Sequence, residues 1–115
     1  MSTTATCPLT VEIELKSNVA LVKCHGKLIA GVGDVLYLPV NALFPDHKHV
    51  VIDLTDLTRM DSLGLGTLVR LYVSARSAGS CVELINVGKQ IRELLGITNM
   101  LKVFADMGEN GIKMC

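Results

Sequence analysis

The sequence predicts an α/β fold, in which a mixed sheet of about four or five strands carries helices packed mainly on one face. The first observation is a pair of strand-like segments at residues 9–15 and 19–25, joined by a short polar turn that makes them a β-hairpin. The second is an alternation of strands and helices from residue 50 onward, as in parallel strands linked by crossover helices. A hairpin followed by such crossovers requires both antiparallel and parallel strand pairs.

The N-terminal half contains two strands and one uncertain helix. Residues 9–15 alternate apolar and polar side chains, which indicates a half-buried strand, and residues 19–25 form the second strand. Residues 28–33 are ambiguous and suggest a flexible loop before a helix. Asp34 is a candidate cap for that helix, and Pro39 would disturb it if it lies beyond the first turn.

The middle of the chain contains the longest predicted helix. Residues 50–54 are mostly β-branched and almost continuously apolar, which is typical of a central parallel strand. Residues 55–60 are interpreted as a loop. Residues 62–78 repeat apolar side chains at helical spacing, and Gly79 is a good stop signal.

The C-terminal part adds shorter elements. Residues 81–85 predict another buried strand, and residues 89–95 predict a short amphipathic helix that Gly96 ends. Residues 101–104 suggest a last short strand or extended segment.

Length and composition fit a single domain over residues 1–115, with residues 1–8 and 107–115 expected to be loosely ordered. The formal net charge of zero argues against a nucleic-acid binder, which usually has a basic face. We see no apolar run as long as a membrane span and no signal peptide, so a cytoplasmic location is expected. The four cysteines form no C-x-x-C pair, and Cys24 and Cys81 are expected to be buried small hydrophobic residues.

Residues 61–66, with the sequence DSLGLG, start the longest predicted helix. A helix N-terminus has unpaired N–H donors, and either Asp61 or Ser62 can accept from them as the cap. Gly64 and Gly66 each destabilise a helix by about 1 kcal/mol relative to alanine, so the presence of both in one turn requires an explanation. Close approach of the backbone to a partner or to a neighbouring element would supply one.

Ser62 has two interpretations from the residues alone. It is only a helix cap, as serine often is, or it is a phosphorylation site. A phosphate at a helix N-terminus meets the positive end of the helix dipole and free N–H groups, so it need not unfold the helix. It would add about −1.5 to −2 charges to a nearly neutral surface, which is enough to repel a partner without rebuilding the fold.

Residues 50–66 carry a family resemblance. The strand VVIDLT, the loop to Met60 and the segment DSLGLG resemble the STAS domains of bacterial anti-sigma factor antagonists, in which a V-V-L-D-L strand leads by a loop to a D-S-x-G-L-G helix start. Residues 79–85 resemble the strand that follows in the family, and residues 91–104 resemble its R-x-L-x-x-x-x-L…F ending. The similarity spans essentially the whole chain.

The resemblance implies a STAS-like fold and a partner switch rather than an enzyme. In the family, the unphosphorylated antagonist binds an anti-sigma factor that is also a serine kinase, and this frees the sigma factor. The kinase then phosphorylates the motif serine, here Ser62, the complex separates, and a serine phosphatase resets it. Asp61 would help to orient the target hydroxyl. The implied partner-binding residues are Asp61, Leu63, Gly64, Leu65, Gly66, Arg59, Met60 and Lys27.

Two positions depart from the family pattern. Many members have an acidic G-E-L-D stretch after the second strand, where this chain has Gly26-Lys27-Leu28-Ile29 and no acid until Asp34. Leu63 replaces a second serine that many members carry, so Ser62 is the unambiguous target, with an apolar side chain beside it.

Other functions compete with the switch. STAS domains also serve in lipid-transport complexes and in stress-signalling assemblies that involve no sigma factor. A nucleotide hydrolase would need a positioned base, a nucleophile pair or a phosphate loop, and we find none. Asp53, Asp56 and Asp61 invite a magnesium site, and His47 with His49 a metal-ligand pair, but structural and solvated roles are favoured for them. No catalytic residue, metal or cofactor is therefore expected.

Overall fold

A computed structural model of the chain describes the backbone of residues 8–97, 106–107 and 111–114, and the side chains of residues 8–93. The described strands form one mixed sheet in the order β1-β2-β3-β4-β6-β5, which confirms the predicted fold class. The elements are β1 (Leu9–Lys16), β2 (Val19–Leu28), α1 (Gly33–Asn41), β3 (His49–Met60), α2 (Ser62–Ala78), β4 (Cys81–Ile85), α3 (Lys89–Ile97), β5 (Asp106–Met107) and β6 (Gly111–Met114).

The core lies between the sheet and its helices. β1 and β2 form the predicted antiparallel hairpin, and β2, β3 and β4 are parallel to one another. The apolar faces of α1, α2 and α3 join one hydrophobic cluster with the inward side chains of these strands, so the helices cover one face of the sheet as expected. Those inward side chains are Ala20, Val22, Cys24, Val50, Ile52, Leu54, Val82 and Leu84.

The loop predicted at residues 55–60 is instead a continuation of β3, and this corrects the sequence-based boundary. β2 also continues to Leu28, and the two extensions pair in parallel, so that Lys27 lies beside Arg59 and Leu28 beside Met60. The residues 55–60 are largely polar, and a long neighbouring strand rather than local pattern decides their conformation. The extension of β3 ends at Met60, two residues before the start of α2 at Ser62.

α1 differs from its prediction at its N-cap and also contains Pro39. Val32 occupies its N-cap position and makes no side-chain capping bond, so Asp34 is a first-turn residue rather than the cap. Pro39 lies inside the helix, where its ring removes a hydrogen-bond donor. Leu36 and Val40, on either side of Pro39, are both fully buried, and their packing keeps this segment helical.

The C-terminal segment is more regular than expected. β6 pairs with β4, and β5 pairs with β6, both antiparallel, so part of the tail predicted to be loose completes the sheet. α3 extends past Gly96 to Ile97. The strand predicted at residues 101–104 lies outside the described residues, as do residues 1–7.

The two cysteines that the structure describes differ in burial. Cys24 is buried as predicted, and burial, with a smaller effect of the Asp53 charge, raises the pKa of its thiol to about 12. Cys81 is half-buried at the start of β4, so the expectation that it is buried is wrong for this residue. No helix in the described part of the chain is long and apolar enough to cross a bilayer.

Candidate functional site

The candidate site lies where β3 passes into α2. Met60, the last residue of β3, is only 5% exposed and anchors this junction in the core. Asp61 follows in an extended conformation, with φ −106° and ψ −176°, and Ser62 is the first residue of the helix. The buried strand end and the helix therefore hold Ser62 at a fixed place on the surface.

Asp61 is the cap of α2. One carboxylate oxygen, Oδ1, accepts the backbone N–H of Gly64 at 2.8 Å, and Oδ2 accepts the backbone N–H of Ala30 at 3.0 Å. These two N–H groups, that of Gly64 first, lower the pKa of the Asp61 carboxyl because they stabilise its ionised form. One side chain thus joins the segment between β2 and α1 to the first turn of α2.

Ser62 is exposed and is not the cap. Its hydroxyl makes no hydrogen bond with any residue whose side chain the structure describes, and Asp61 directs both its oxygens to backbone N–H groups instead. The capping role that would have explained a serine here is therefore filled by its neighbour. Ser62 presents its hydroxyl to solvent at a helix N-terminus, where a phosphate is electrostatically tolerated.

The two glycines of this turn have different surroundings. A Cβ on Gly64 would lie 2.0 Å from the carbonyl oxygen of Leu28, so only glycine lets α2 approach the end of β2 this closely. A Cβ on Gly66 would have no neighbour within 4 Å among the residues that the structure describes outside its own turn. The neighbouring-element explanation therefore holds for Gly64 and fails for Gly66.

Leu63 borders a surface hollow of about 300 Å³ between the start of α2 and the segment that leads into α1. Its side chain is 65% exposed. Arg70 lines the same hollow two turns further along α2, where its guanidinium lies 3.6 Å from the Asp34 carboxylate and 4.0 Å from the centre of the Tyr37 ring. Sequence reasoning missed Arg70, although its spacing of seven residues from Leu63 places both on one helix face.

Lys27 and Arg59 are exposed neighbours in the register of β2 and β3. Neither forms a salt bridge with a residue in the described part of the chain. They lie one residue before Leu28 and Met60, the last pair of the two strands, and so flank the approach to Asp61. Arg59 of this basic pair precedes the candidate phosphoacceptor by three residues, and Lys27 lies beside Arg59 in the sheet.

Three of the residues predicted to contact a partner are buried in this structure. Leu65 is 3% exposed and belongs to the core, as does Met60. Gly64 is also buried, against β2. These residues lie in the core and hold the site in place. The predicted contact residues that solvent reaches, together with the serine itself, are Ser62, Leu63, Gly66, Lys27 and Arg59.

The carboxylates and histidines considered as metal ligands have separate partners. Oδ1 of Asp53 accepts from Thr55 and Asn86, while Asp56 contacts His25 at 3.2 Å. His47 Nδ1 lies 3.1 Å from the Leu43 carbonyl oxygen, and His49 Nε2 lies 3.0 Å from Glu83. Among the described residues, no three His, Cys, Asp or Glu side chains are placed to hold one cation.

Comparison with known proteins gives a consistent picture. Residues 10–112 match the family described as the STAS domain. The chain is 25% identical over 97 residues to the anti-sigma F factor antagonist of Paenibacillus polymyxa, an alignment that covers 83% of each chain.

Solved structures agree on the fold. An anti-sigma factor antagonist from Mycobacterium paratuberculosis superposes with a TM-score of 0.70 at 22% identity, covering 82% of this chain and 80% of that one. The phosphorylated form of the Bacillus cell fate determinant SpoIIAA gives a TM-score of 0.66 at 14% identity, over 87% of this chain and 93% of that one. At these identities the structures show a shared fold.

Proposed function

Because this chain belongs to the STAS domain family, we propose that it is an anti-sigma factor antagonist whose binding to an anti-sigma factor is ended by phosphorylation of Ser62. The observation that carries the proposal is the division of roles at the start of α2. Asp61 caps the helix, and Ser62 presents an exposed hydroxyl that makes no hydrogen bond within the described part of the chain. The protein acts by binding rather than by catalysis.

The surface around Ser62 suits a reversible protein contact. Leu63 offers an exposed apolar side chain, Gly66 offers accessible backbone, and Lys27 with Arg59 offers positive charge. Exposed apolar surface beside charged residues is typical of docking sites. An acidic surface on the anti-sigma factor would complement the basic pair, in place of the acidic stretch that many family members carry in this region.

Phosphorylation would change this surface without changing the fold. The added charge of about −1.5 to −2 lies at the positive end of the α2 dipole, so the helix tolerates it. The same charge offsets the two positive charges of Lys27 and Arg59, which lie near the ends of the two strands that lead to this site. An acidic partner surface that fits the unmodified site then loses this attraction, and the complex dissociates.

The proposal implies two enzymes that act on Ser62. The anti-sigma factor is itself the serine kinase, and a serine phosphatase restores the hydroxyl. The cycle takes place in the cytoplasm, where bacterial transcription occurs.

Intact-mass measurement with candidate anti-sigma factor kinases of the source organism tests the proposal directly. Incubation with one of them, ATP and Mg²⁺ should add one phosphate to the chain, and Ser62→Ala should abolish the addition. Ser77→Ala is the matched control, since Ser77 is an exposed serine on the same helix and its loss should change nothing.

Binding provides the second half of the test. Ser62→Asp should weaken the affinity for the same kinase, measured by calorimetry without nucleotide, because it places a negative charge at the contact. Phosphate that persists in Ser62→Ala, or equal affinity of Ser62→Asp and the unmodified chain, would exclude Ser62 as the switch.

A further inference from the structure

Cys81, the first residue of β4, is disulfide-bonded, whereas Cys24 is a free thiol in the core. The side chain of Cys81 lies on the sheet face opposite the helices, because the next side chain, Val82, is buried in the core. The chain contains four cysteines, so the partner of Cys81 within the chain is either Cys7 or Cys115. The strand register distinguishes between these two.

Cys7 is tied by sequence to the other end of the sheet. Leu9, two residues after it, pairs with Gly26 of β2, whereas Cys81 lies level with Val19 at the start of β2, through the first residue of β3. These two positions of β2 are roughly 23 Å apart along the strand, and two residues of chain span at most about 7 Å. A disulfide needs Cα atoms within about 6.8 Å, so Cys7 is excluded.

Cys115 is tied to the matching end by the pairing of β4 with β6. The two strands are antiparallel, and Val82 lies opposite Met114. One further step of the same register leads back to Cys81 in β4 and forward to Cys115 after β6. Directly opposite residues of an antiparallel pair have Cα atoms about 4.5–5.5 Å apart and side chains on one face. That separation lies within the range of about 4.4–6.8 Å that disulfides span.

The position of Cys81 favours a link that opens and closes over a permanent one. Its side chain is half-buried on a sheet face that none of the described helices covers, so a small reagent can approach it. Exposed disulfides exchange more readily with small thiols than buried ones do. Cys24, by contrast, is fully buried, and burial raises the pKa of its thiol to about 12, which keeps it unreactive.

We infer that Cys81 and Cys115 form a reversible cross-strand disulfide, which low-molecular-weight disulfides and thiols of the glutathione class close and open. Closing takes two exchange steps. The thiolate of one cysteine attacks a sulfur of the small disulfide and releases one small thiol, and the other cysteine then attacks the protein sulfur of the mixed disulfide and releases the second. The cysteine pair thus loses two electrons and two protons, which the two released thiols carry.

The link would hold β6 at the edge of β4. Among the described residues, four pairs join β6 to β4, and β5 is joined to the sheet through β6. A disulfide beside the pair of Val82 and Met114 closes the loop that runs from β4 through α3 to β6 and so restricts the unfolded chain. The oxidised form should therefore be the more stable one. Ser62 follows the opposite end of β3, so closing the link leaves the proposed phosphorylation site unchanged.

Mass spectrometry of the folded chain tests the pairing. The chain is incubated with oxidised glutathione, its remaining free thiols are blocked with N-ethylmaleimide, and it is cut with trypsin. We expect a species that joins peptide 77–89 to the peptide beginning at Met114, and its loss in dithiothreitol or excess reduced glutathione. Cys115→Ser and Cys81→Ser should each abolish this species. Cys7→Ser is the matched control and should retain it.

Thermal unfolding tests the consequence for stability. Oxidation should raise the Tm of the unmodified chain and of Cys7→Ser by roughly 10 °C. Cys115→Ser should show no such rise, because one cysteine of the pair cannot close the link alone. Amide hydrogen exchange should slow on oxidation at Ile112 in β6, with little change at Gly64 in α2. Neither measurement involves phosphorylation or an anti-sigma factor, so the outcome is independent of the proposed function.

Four results would overturn the inference. The first is a link from Cys81 to Cys7 or to a second copy of the chain. The second is a chain in which both Cys81 and Cys115 are still blocked by N-ethylmaleimide after incubation with oxidised glutathione. The third is a link that excess reduced glutathione cannot open, and the fourth is the same Tm for the oxidised and reduced forms.

Discussion

Gly64 and Gly66 lie two residues apart in the same helical turn, yet the fold needs only one of them. At Gly64 a methyl group would collide with the Leu28 carbonyl oxygen, whereas at Gly66 it would meet no described neighbour within 4 Å outside the helix turn itself. Both positions weaken the helix by about the same amount relative to alanine. The loss of helix stability at Gly64 is explained by the packing of α2 on β2. The loss at Gly66 is left for function to explain.

The same division, between residues that the fold requires and residues that it leaves on the surface, applies to the whole turn. On its inner side, Asp61 binds two backbone N–H groups, and Met60 and Leu65 join the core. On its outer side, Ser62 and Leu63 are exposed. The inner residues hold the backbone in place, so the outer residues can be presented to a partner without being needed for stability.

Gly64→Ala should have the largest effect on stability. The added Cβ cannot be accommodated 2.0 Å from a backbone oxygen, so α2 must move away from β2. We expect the free energy of unfolding to fall by about 3 kcal/mol or more, measured by urea denaturation. A loss below about 1 kcal/mol would mean that the helix start shifts easily, and the contrast with Gly66 would disappear.

Asp61→Ala should destabilise the fold by about 1–2 kcal/mol, because it removes the cap of α2 and the acceptor for the Ala30 N–H. Asp61→Asn is the matched control, since asparagine is nearly as good a cap and should cost less. Amide hydrogen exchange should accelerate at both Ala30 and Gly64 in Asp61→Ala. Acceleration at Gly64 alone would show that Asp61 does not hold the two segments together.

Gly66→Ala should act in opposite directions on folding and on binding. The free energy of unfolding should rise by up to about 1 kcal/mol, because alanine favours the helix and its methyl group would displace no described neighbour. Affinity for the anti-sigma factor should fall, if the partner approaches the backbone here. A stabilised variant with unchanged affinity would place Gly66 outside the interface while leaving the role of Ser62 intact.

The pH dependence of stability measures the contribution of Asp61, which lies on the inner side of the turn. Backbone N–H groups lower the pKa of folded Asp61, so its contribution is present above the unfolded value of about 4 and is lost as the pH falls through the folded pKa. Hydrogen bonds from Asn86 and Thr55 lower the pKa of Asp53 as well, although burial alone would raise it. The difference between the unmodified chain and Asp61→Asn should therefore shrink below pH about 4. A constant difference between pH 7 and pH 3 would contradict the capping geometry.

The sequence by itself determined the elements whose signals are local. α2 begins and ends where predicted, at Ser62 and Ala78, because a long apolar repeat is closed by Gly79, which adopts a left-handed conformation with φ 73°. The hairpin and β4 follow in the same way from short strand patterns bounded by turn residues. The position of the motif serine at a helix start also followed from its place in the chain.

The tertiary structure decided whatever depends on neighbours distant in sequence. Residues 55–60 became strand because β2 extends beside them, and residues 111–114 became strand because β4 offers an edge. Asp61 rather than Ser62 caps α2 because its second oxygen meets Ala30, thirty-one residues away. The different roles of Gly64 and Gly66 rest on one carbonyl oxygen from another strand. Local periodicity predicts where helices, strands and turns lie. Contacts between distant segments determine which residues of a motif support the fold and which are left on the surface.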